Sequence, residues 1–380
     1  MEYRQIGRTG LQAGVVGLGC EHLDGKPYAV VEETIHAALD NGINLMDLFM
    51  PGEEVRSNIG RALAGRRDRM MIQGHICSVD LNQQYDISRD PAVCRRYFET
   101  LLRCLRTDYI DFGMLFFVDS AADYSAAFES DILEYAQDLK RRGVIRAIGA
   151  SSHNPVTARR IVESGVVDLL MFSINPAFDM MPPDSELEKM IGAPGELMTG
   201  MNPVRAELYR LCEQRGVGIT VMKSLGAGKL ISPEHTPFCK PLTVSQCIHY
   251  ALTRPAVVSA LVGCCSAAQV REAVGYLELS DAERDYAPIV GSRRNDFKGN
   301  CVYCNHCRPC PAGIDIAAVN KYLDIAKLEE STIPPSIAQH YRALEHTASQ
   351  CIGCGSCEKR CPFGVPVIEN MKLAARLFGC

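Results

Sequence analysis

Two runs of cysteine near the end of the chain have the spacing of metal ligands. The first is Cys301-x2-Cys304-x2-Cys307-x2-Cys310-Pro311, and the second is Cys351-x2-Cys354-x2-Cys357-x3-Cys361-Pro362. Two residues between cysteines let a short loop wrap one face of an iron–sulfur cubane and aim three thiolates at three irons, so a fourth ligand must come from elsewhere. Each closing proline turns the chain away and has no N–H that needs a partner. Zinc held by four cysteines also uses Cys-x2-Cys pairs, but it needs neither the third closely spaced cysteine nor the Cys-Pro ending. The chemistry expected of these residues is one-electron transfer.

The second run matches the bacterial ferredoxin ligand pattern, and the first has one residue fewer before its last cysteine. In two-cluster ferredoxins the last cysteine of each run ligates the other cluster. That pattern assigns Cys301, Cys304, Cys307 and Cys361 to one [4Fe–4S] cluster, and Cys351, Cys354, Cys357 and Cys310 to a second. His306 lies between ligands, where it can tune a potential. Between the runs, Ile316, Val319, Leu323 and Ala326 form one helical stripe, and Ile337, Tyr341, Leu344 and Ala348 form another, with Pro334-Pro335 as the break. The expected unit over 291–380 is mostly α.

The 380 residues allow a large domain before this small one. The chain carries a net charge of −5 and no basic run, so nucleic acid is not an expected partner. Its first residues lack the apolar core of a signal peptide, and no apolar stretch nears the roughly 18 residues of a membrane span. The expected location is the cytoplasm, which also argues against reading the 18 cysteines as a secreted disulfide scaffold.

Over residues 1–290, eight short apolar runs alternate with amphipathic segments. The runs are Val15–Leu18, Ile43–Asp47, Met70–Ile76, Ile110–Phe117, Ile145–Ala150, Asp168–Ile174, Gly218–Met222 and Val257–Val262. The helical segments include 29–41, 92–105, 131–142 and 203–215. Eight β–α units in this length predict an α/β fold, a (β/α)8 TIM barrel, with a doubly wound open sheet as the alternative. No Gly-x-Gly-x-x-Gly follows the first run.

Several segments resemble the aldo/keto reductase family. Tyr3-Arg4-Gln5-Ile6-Gly7-Arg8-Thr9-Gly10-Leu11 is similar to its opening hairpin, and Asn41-Gly42-Ile43-Asn44-Leu45-Met46-Asp47 to its second strand. Asp108-Tyr109-Ile110-Asp111 resembles the entry to the fourth strand, Gly143–Ser151 the fifth, and Val221–Leu230 the loop after the seventh. A branch of that family carries a C-terminal ferredoxin domain, to which Cys301–Asp315 is similar.

The resemblance implies NADPH-dependent carbonyl reduction by an Asp, a Tyr proton donor, a Lys and a His at the C-terminal rim. By motif, Asp47 keeps the Asp position. Phe49-Met50-Pro51-Gly52 contains no Tyr, His75 stands at the Lys position, and Phe116 at the His position. The carboxamide-holding Gln falls at Met171 and the stacking Tyr at Met222, whereas Ser151 and Asn175 remain as cofactor-binding residues. Gly263 survives after the eighth strand, where Cys264-Cys265 occupies the turn that usually grips the adenosine phosphate. Hydride reduction of a ketone needs a proton donor at its oxygen, typically contributing 10²–10⁴-fold. Phe116 cannot donate, but an imidazole at His75 can.

Cys20, His22, Asp47, His75 and Cys77 all belong to ends of the first three strands. Cys20 and Cys77 are expected to be small buried hydrophobes, and His153 a loop hydrogen-bonder. Cys264-Cys265 reads as a plain turn. The segment 177–203 is long for a βα loop and is expected to act as a lid.

The expected protein is an iron–sulfur oxidoreductase that reduces or oxidises a small molecule at the barrel mouth, with two [4Fe–4S] clusters relaying electrons. Asp47 and His75 are its catalytic candidates. Two readings compete with this one: an NADPH-dependent carbonyl reductase that uses His75 and Asp47, and a non-enzymatic electron-transfer subunit that docks on a redox protein. Hydride carries two electrons and a cluster takes one, so NADP(H) and flavin both stand as possible cofactors.

Overall fold

The structure is a computed structural model that describes residues 1–81, 84–181, 201–291, 301, 303, 305, 307–327, 333–361 and 364–380. Backbone proximity divides the chain into two compact units, Met1–Ser292 and Arg293–Cys380.

The first unit opens with an antiparallel hairpin, β1 (Tyr3–Gln5) and β2 (Gln12–Gly14). Eight parallel strands follow: β3 (Val16–Gly19), β4 (Leu45–Leu48), β5 (Met71–His75), β8 (Ile110–Leu115), β9 (Ile145–Ser152), β10 (Leu169–Ser173), β11 (Gly218–Met222) and β12 (Val257–Gly263). They close a barrel in chain order, with β12 paired to β3. Each of the eight apolar runs forms one of these strands, and the open-sheet alternative is excluded by the β12–β3 closure. A second hairpin, β6 (Ser78–Leu81) and β7 (Gln84–Ile87), interrupts the alternation just after β5.

Buried side chains outside the strands pack against the helices in one large apolar cluster. A second cluster, including Leu45, Phe112, Met114, Leu169, Met171 and Leu261, fills the barrel. Helix starts follow local chemistry. Asp90 accepts hydrogen bonds from Ala92 and Val93 amides, and Ser120 with Asp123 and Thr243 with Gln246 form capping boxes. The helix Glu53–Ala62 crosses the helix Pro91–Leu105 at Gly60, where a Cβ would lie 2.3 Å from the Cys104 carbonyl oxygen. Only glycine permits that approach.

At the N-terminal face the opening hairpin packs Ile6, Leu11 and Ala13 into the barrel cluster, and ion pairs lie near the strand starts. Asp111 is paired with Arg67 (3.2 Å) and Arg146 (3.0 Å), and Asp168 with Arg8 (2.8 Å) and Lys140 (2.9 Å). The opposite face is thereby left for chemistry, as in other barrels of this type.

The second unit is helical over its described residues: Ile316–Ala326, Pro335–Arg342, Ser356–Arg360 and Val367–Phe378. The stripe Ile316, Val319, Leu323 and Ala326 is buried as its period predicts. The second stripe is corrected. Its helix ends at Arg342, and of the four residues only Tyr341 and Ala348 are buried, Ala348 in a separate short turn. Tyr341 is the pivot: its ring stacks on Phe378 at 4.0 Å, and its hydroxyl accepts from the Ala348 amide and donates to the Cys380 carbonyl. Among the described residues, no helix is long and apolar enough to cross a membrane.

Candidate active site

Alternation along β5 turns Met71, Gln73 and His75 to the same face of the strand. Gln73 shows which face this is: its amide lies 3.7 Å from the sulfur of Met171, on β10 across the barrel. On the neighbouring strand β4, Asp47 faces the same interior. His75 Nε2 lies 2.8 Å from Asp47 Oδ1, and Gln73 Nε2 donates to the same oxygen at 3.1 Å. Both Asp47 and His75 are buried. An ionised carboxylate only accepts, so the bond to Asp47 places a proton on Nε2 and leaves Nδ1 as the working atom of the ring. That Nδ1 is buried without a partner, as is Gln73 Oε1. An unsatisfied buried polar atom costs about 1–3 kcal/mol, a cost a bound polar group would relieve.

The dyad is walled by aromatic rings. Phe116 meets His75 edge-on at 5.0 Å, Phe49 does so at 6.2 Å, and the two phenyl rings stack at 5.6 Å. The positions that the resemblance assigns to the Tyr region and to His are thus apolar walls rather than donors. Cys77 helps hold that wall, its sulfur accepting from the Phe116 amide. The neighbouring Cys94 thiol, against burial, and the Arg89 guanidinium draw its thiol down. The Cys94 thiol is correspondingly raised. Cys77 is fully buried in the large apolar cluster, as expected of it. Cys20 fits the expectation: burial, then the nearby Asp47 and Cys264, push its thiol well up.

The cofactor-binding candidates are engaged within the chain. Ser151 Oγ accepts from the Phe117 amide at 2.9 Å. Asn175 caps a short helix by accepting from the Phe178 amide at 2.9 Å, and its own amide donates to the Lys223 carbonyl at 2.8 Å. Gly263 ends β12 beneath the His22 ring, which a Cβ there would meet at 2.8 Å. Ser151 keeps its hydroxyl proton and Asn175 a second amide N–H, donors of the kind a nicotinamide carboxamide takes.

Sequence reasoning missed a second dyad. Asp119, just past β8, accepts from His153 Nδ1 at 2.8 Å, from the His153 amide at 2.6 Å and from Ser152 Oγ at 2.9 Å. Burial pushes the Asp119 carboxyl up, but the hydrogen bonds and charge of His153, with Ser152, outweigh it and hold the group below the usual range. Asp168 is depressed likewise, against burial, by Arg8 and Lys140. A depressed carboxylate adds stability above its unfolded pKa of about 3.9, and that stability is lost as pH falls through the lower folded value. The urea midpoint of the barrel should therefore be flat from about pH 7 to 5 and fall steeply below about 4. Asp119→Asn should start lower and fall less, and an equally steep fall in that variant would contradict the assignment.

The segment expected to be a lid lies outside the described residues from 182 to 200. Its two ends are clamped: the Asn202 amide donates to the Asp179 carbonyl at 2.6 Å, and its side chain donates to the Met181 carbonyl at 3.1 Å.

In the second unit, Cys307 and Cys357 lie in one apolar core with Ile314, Val319 and Leu323, and Cys301, Cys310, Cys351 and Cys361 pack against it. Arg360, from the second run, donates to the Cys307 and Pro309 carbonyls of the first at 2.7 and 2.6 Å. Left-handed residues fall at matching places in the two loops. Tyr303 and Gly353 precede the second cysteine of each run, and Asn305 and Gly355 follow it. Such turns point amides inward, as cluster-binding loops do. The Ser356 backbone hydrogen bond draws the exposed Cys354 thiol down. Soft thiolates from both runs around one core fit an iron–sulfur cluster. Cys304 and His306 lie outside the described residues.

The aldo/keto reductase family profile matches residues 11–241, more than half of the chain, and a 4Fe-4S dicluster domain matches residues 300–368. The chain belongs to the aldo/keto reductase family and is an oxidoreductase that carries an iron–sulfur domain. It is 31% identical over 164 residues to aldo-keto reductase YhdN of Bacillus subtilis, a match that covers 40% of this chain and 47% of that protein, about half of that relative's length. To the uncharacterized oxidoreductase YqkF of the same organism it is 25% identical over 291 residues, covering 72% and 90%. In fold it is similar to the holo form of aldo-keto reductase AKR11C1 from Bacillus halodurans, with a TM-score of 0.59 at 22% identity, covering 75% of this chain and 94% of that one.

Proposed function

We propose that a small molecule is reduced or oxidised at the C-terminal mouth of the barrel, with His75 moving the proton and two [4Fe–4S] clusters in the second unit relaying the electrons. The observation that carries the reading is the buried dyad with its unpartnered Nδ1. Reduction of a carbonyl takes up two electrons, which the clusters supply one at a time, and two protons. His75 Nδ1 delivers one proton to the oxygen, solvent at the mouth supplies the one that goes to the carbon, and Asp47 holds Nε2 and balances the imidazolium that must form beforehand. Gln73 fixes Asp47, and Phe49 and Phe116 keep water from the ring. Cys301, Cys304, Cys307 and Cys361 would hold one cluster, and Cys351, Cys354, Cys357 and Cys310 the other. Bound there, the clusters supply single electrons.

The test is anaerobic turnover of a panel of aldehydes and ketones, with reduced methyl viologen or NADPH as the electron source. Viologen-driven turnover is expected, falling about 10²–10⁴-fold in His75→Gln. A variant that keeps the parent rate would sink the dyad. Turnover with NADPH alone would replace the relay by the family's hydride reaction, which membership of the family favours. No turnover with either would leave an electron-transfer subunit for a partner redox protein.

A further inference from the structure

The mouth of the barrel carries a continuous arc of rings. Tyr85, on β7, meets Phe49 edge-on at 5.4 Å, Phe49 stacks on Phe116, Phe116 meets Phe117 at 6.0 Å, and Phe117 leans on His153 at 5.3 Å. The arc emerges into solvent as it goes outward: Phe116 is buried, Phe49 and Phe117 are half-buried, and Tyr85 is 52% exposed. Apolar side chains gathered open to solvent mark a binding surface, and ring faces take flat conjugated systems.

The arc is held in place by its backbone. Phe117 sits at φ +53°, a left-handed conformation that costs a bulky residue roughly 1–2 kcal/mol. Hydrogen bonds fix it there: its amide donates to Ser151 Oγ, its carbonyl accepts from Arg89 at 2.9 Å, and the next amide donates to the Ser151 carbonyl at 2.9 Å. At the end of the arc, Asp119 holds His153 through Nδ1 and the backbone amide, and Nε2 is the open atom of the ring. The Asp119 carboxylate at Nδ1 offsets the charge of a second ring proton, so a bound acid can leave its own proton on Nε2. The helix Pro155–Glu163 begins two residues on, with its positive end beside the ring. Both favour an anionic oxygen at Nε2.

We propose that the arc binds a flat conjugated carboxylate, with its ring system lying on Tyr85, Phe49 and Phe117 and its carboxylate accepting from His153 Nε2. The proposal names the substrate class of the reaction above, and it rests on that reading only for where the chemistry occurs.

Isothermal titration of the cluster-loaded full chain with 2-naphthoate and with cyclohexanecarboxylate, equal in charge but not flat, tests it. The naphthoate should bind at least tenfold more tightly. His153→Gln should weaken it about tenfold and Tyr85→Ala, on an exposed residue, about threefold. Equal affinities for the two acids, a twofold or smaller effect of His153→Gln, or no naphthoate binding at millimolar concentration would overturn the proposal. Full turnover in His75→Gln, together with naphthoate affinity that still depends on His153, would remove the dyad from the chemistry and leave the surface standing.

Discussion

On the proposed two-cluster reading, Cys354→Ala should lower iron from about eight to four or fewer per chain, because one missing thiolate opens a cubane and the remaining ligands do not retain it. Absorbance near 400 nm should fall in step with colorimetric iron. The C-terminal unit should loosen as well, since Cys357 lies in its apolar core with Val319 and Leu323. Cys380→Ala, outside both ligand runs, should keep its iron. Stoichiometric zinc in place of iron in the parent protein would refute the cluster assignment outright.

Asp179→Asn should destabilise the barrel unit by about 3–5 kcal/mol, because it leaves a buried guanidinium without its counter-charge. Asp179 is fully buried and accepts from Arg205 Nε at 2.8 Å, Tyr209 at 2.5 Å and Tyr250 at 2.9 Å. Arg205 also donates to the Ser173 carbonyl at the end of β10 and lies over the Phe172 ring. Asparagine fills the same space and offers an oxygen, so the loss isolates charge from shape. Thermal unfolding followed by far-UV circular dichroism should show a midpoint lower by on the order of 10 °C. A shift under about 2 °C would mean that Arg205 finds another partner.

The barrel was legible because parallel strands are covered on both faces and read as short unbroken apolar runs. The hairpin Ser78–Ile87 was not, because its polar, briefly alternating residues look like an ordinary βα connection. The Asp47–His75 pair could be read because both lie at the ends of consecutive strands, and barrel geometry sends such positions to one rim. Asp119 and His153 are 34 residues apart, and only the pairing of β8 with β9 brings them together. The lowered thiol of Cys77 was equally hidden, since it is set by Cys94 and Arg89 after the hairpin has folded them back. The second C-terminal stripe kept its period past Arg342, but Tyr341 anchors the next turn by its hydroxyl instead of extending the helix.

The two ligand loops share a backbone shape that they do not reach on equal terms. Gly353 and Gly355 enter the left-handed region freely, whereas Tyr303 and Asn305 do so against their side chains, at roughly 1 kcal/mol or more for the tyrosine. The loop through Gly353 and Gly355 therefore reaches this shape at little backbone cost, and the loop through Tyr303 and Asn305 reaches it against a cost that bound iron would offset. On the proposed two-cluster reading maturation acquires a direction: the site built on the glycine loop should fill first, and the one built on Tyr303 and Asn305 should be the first to come apart when iron is scarce.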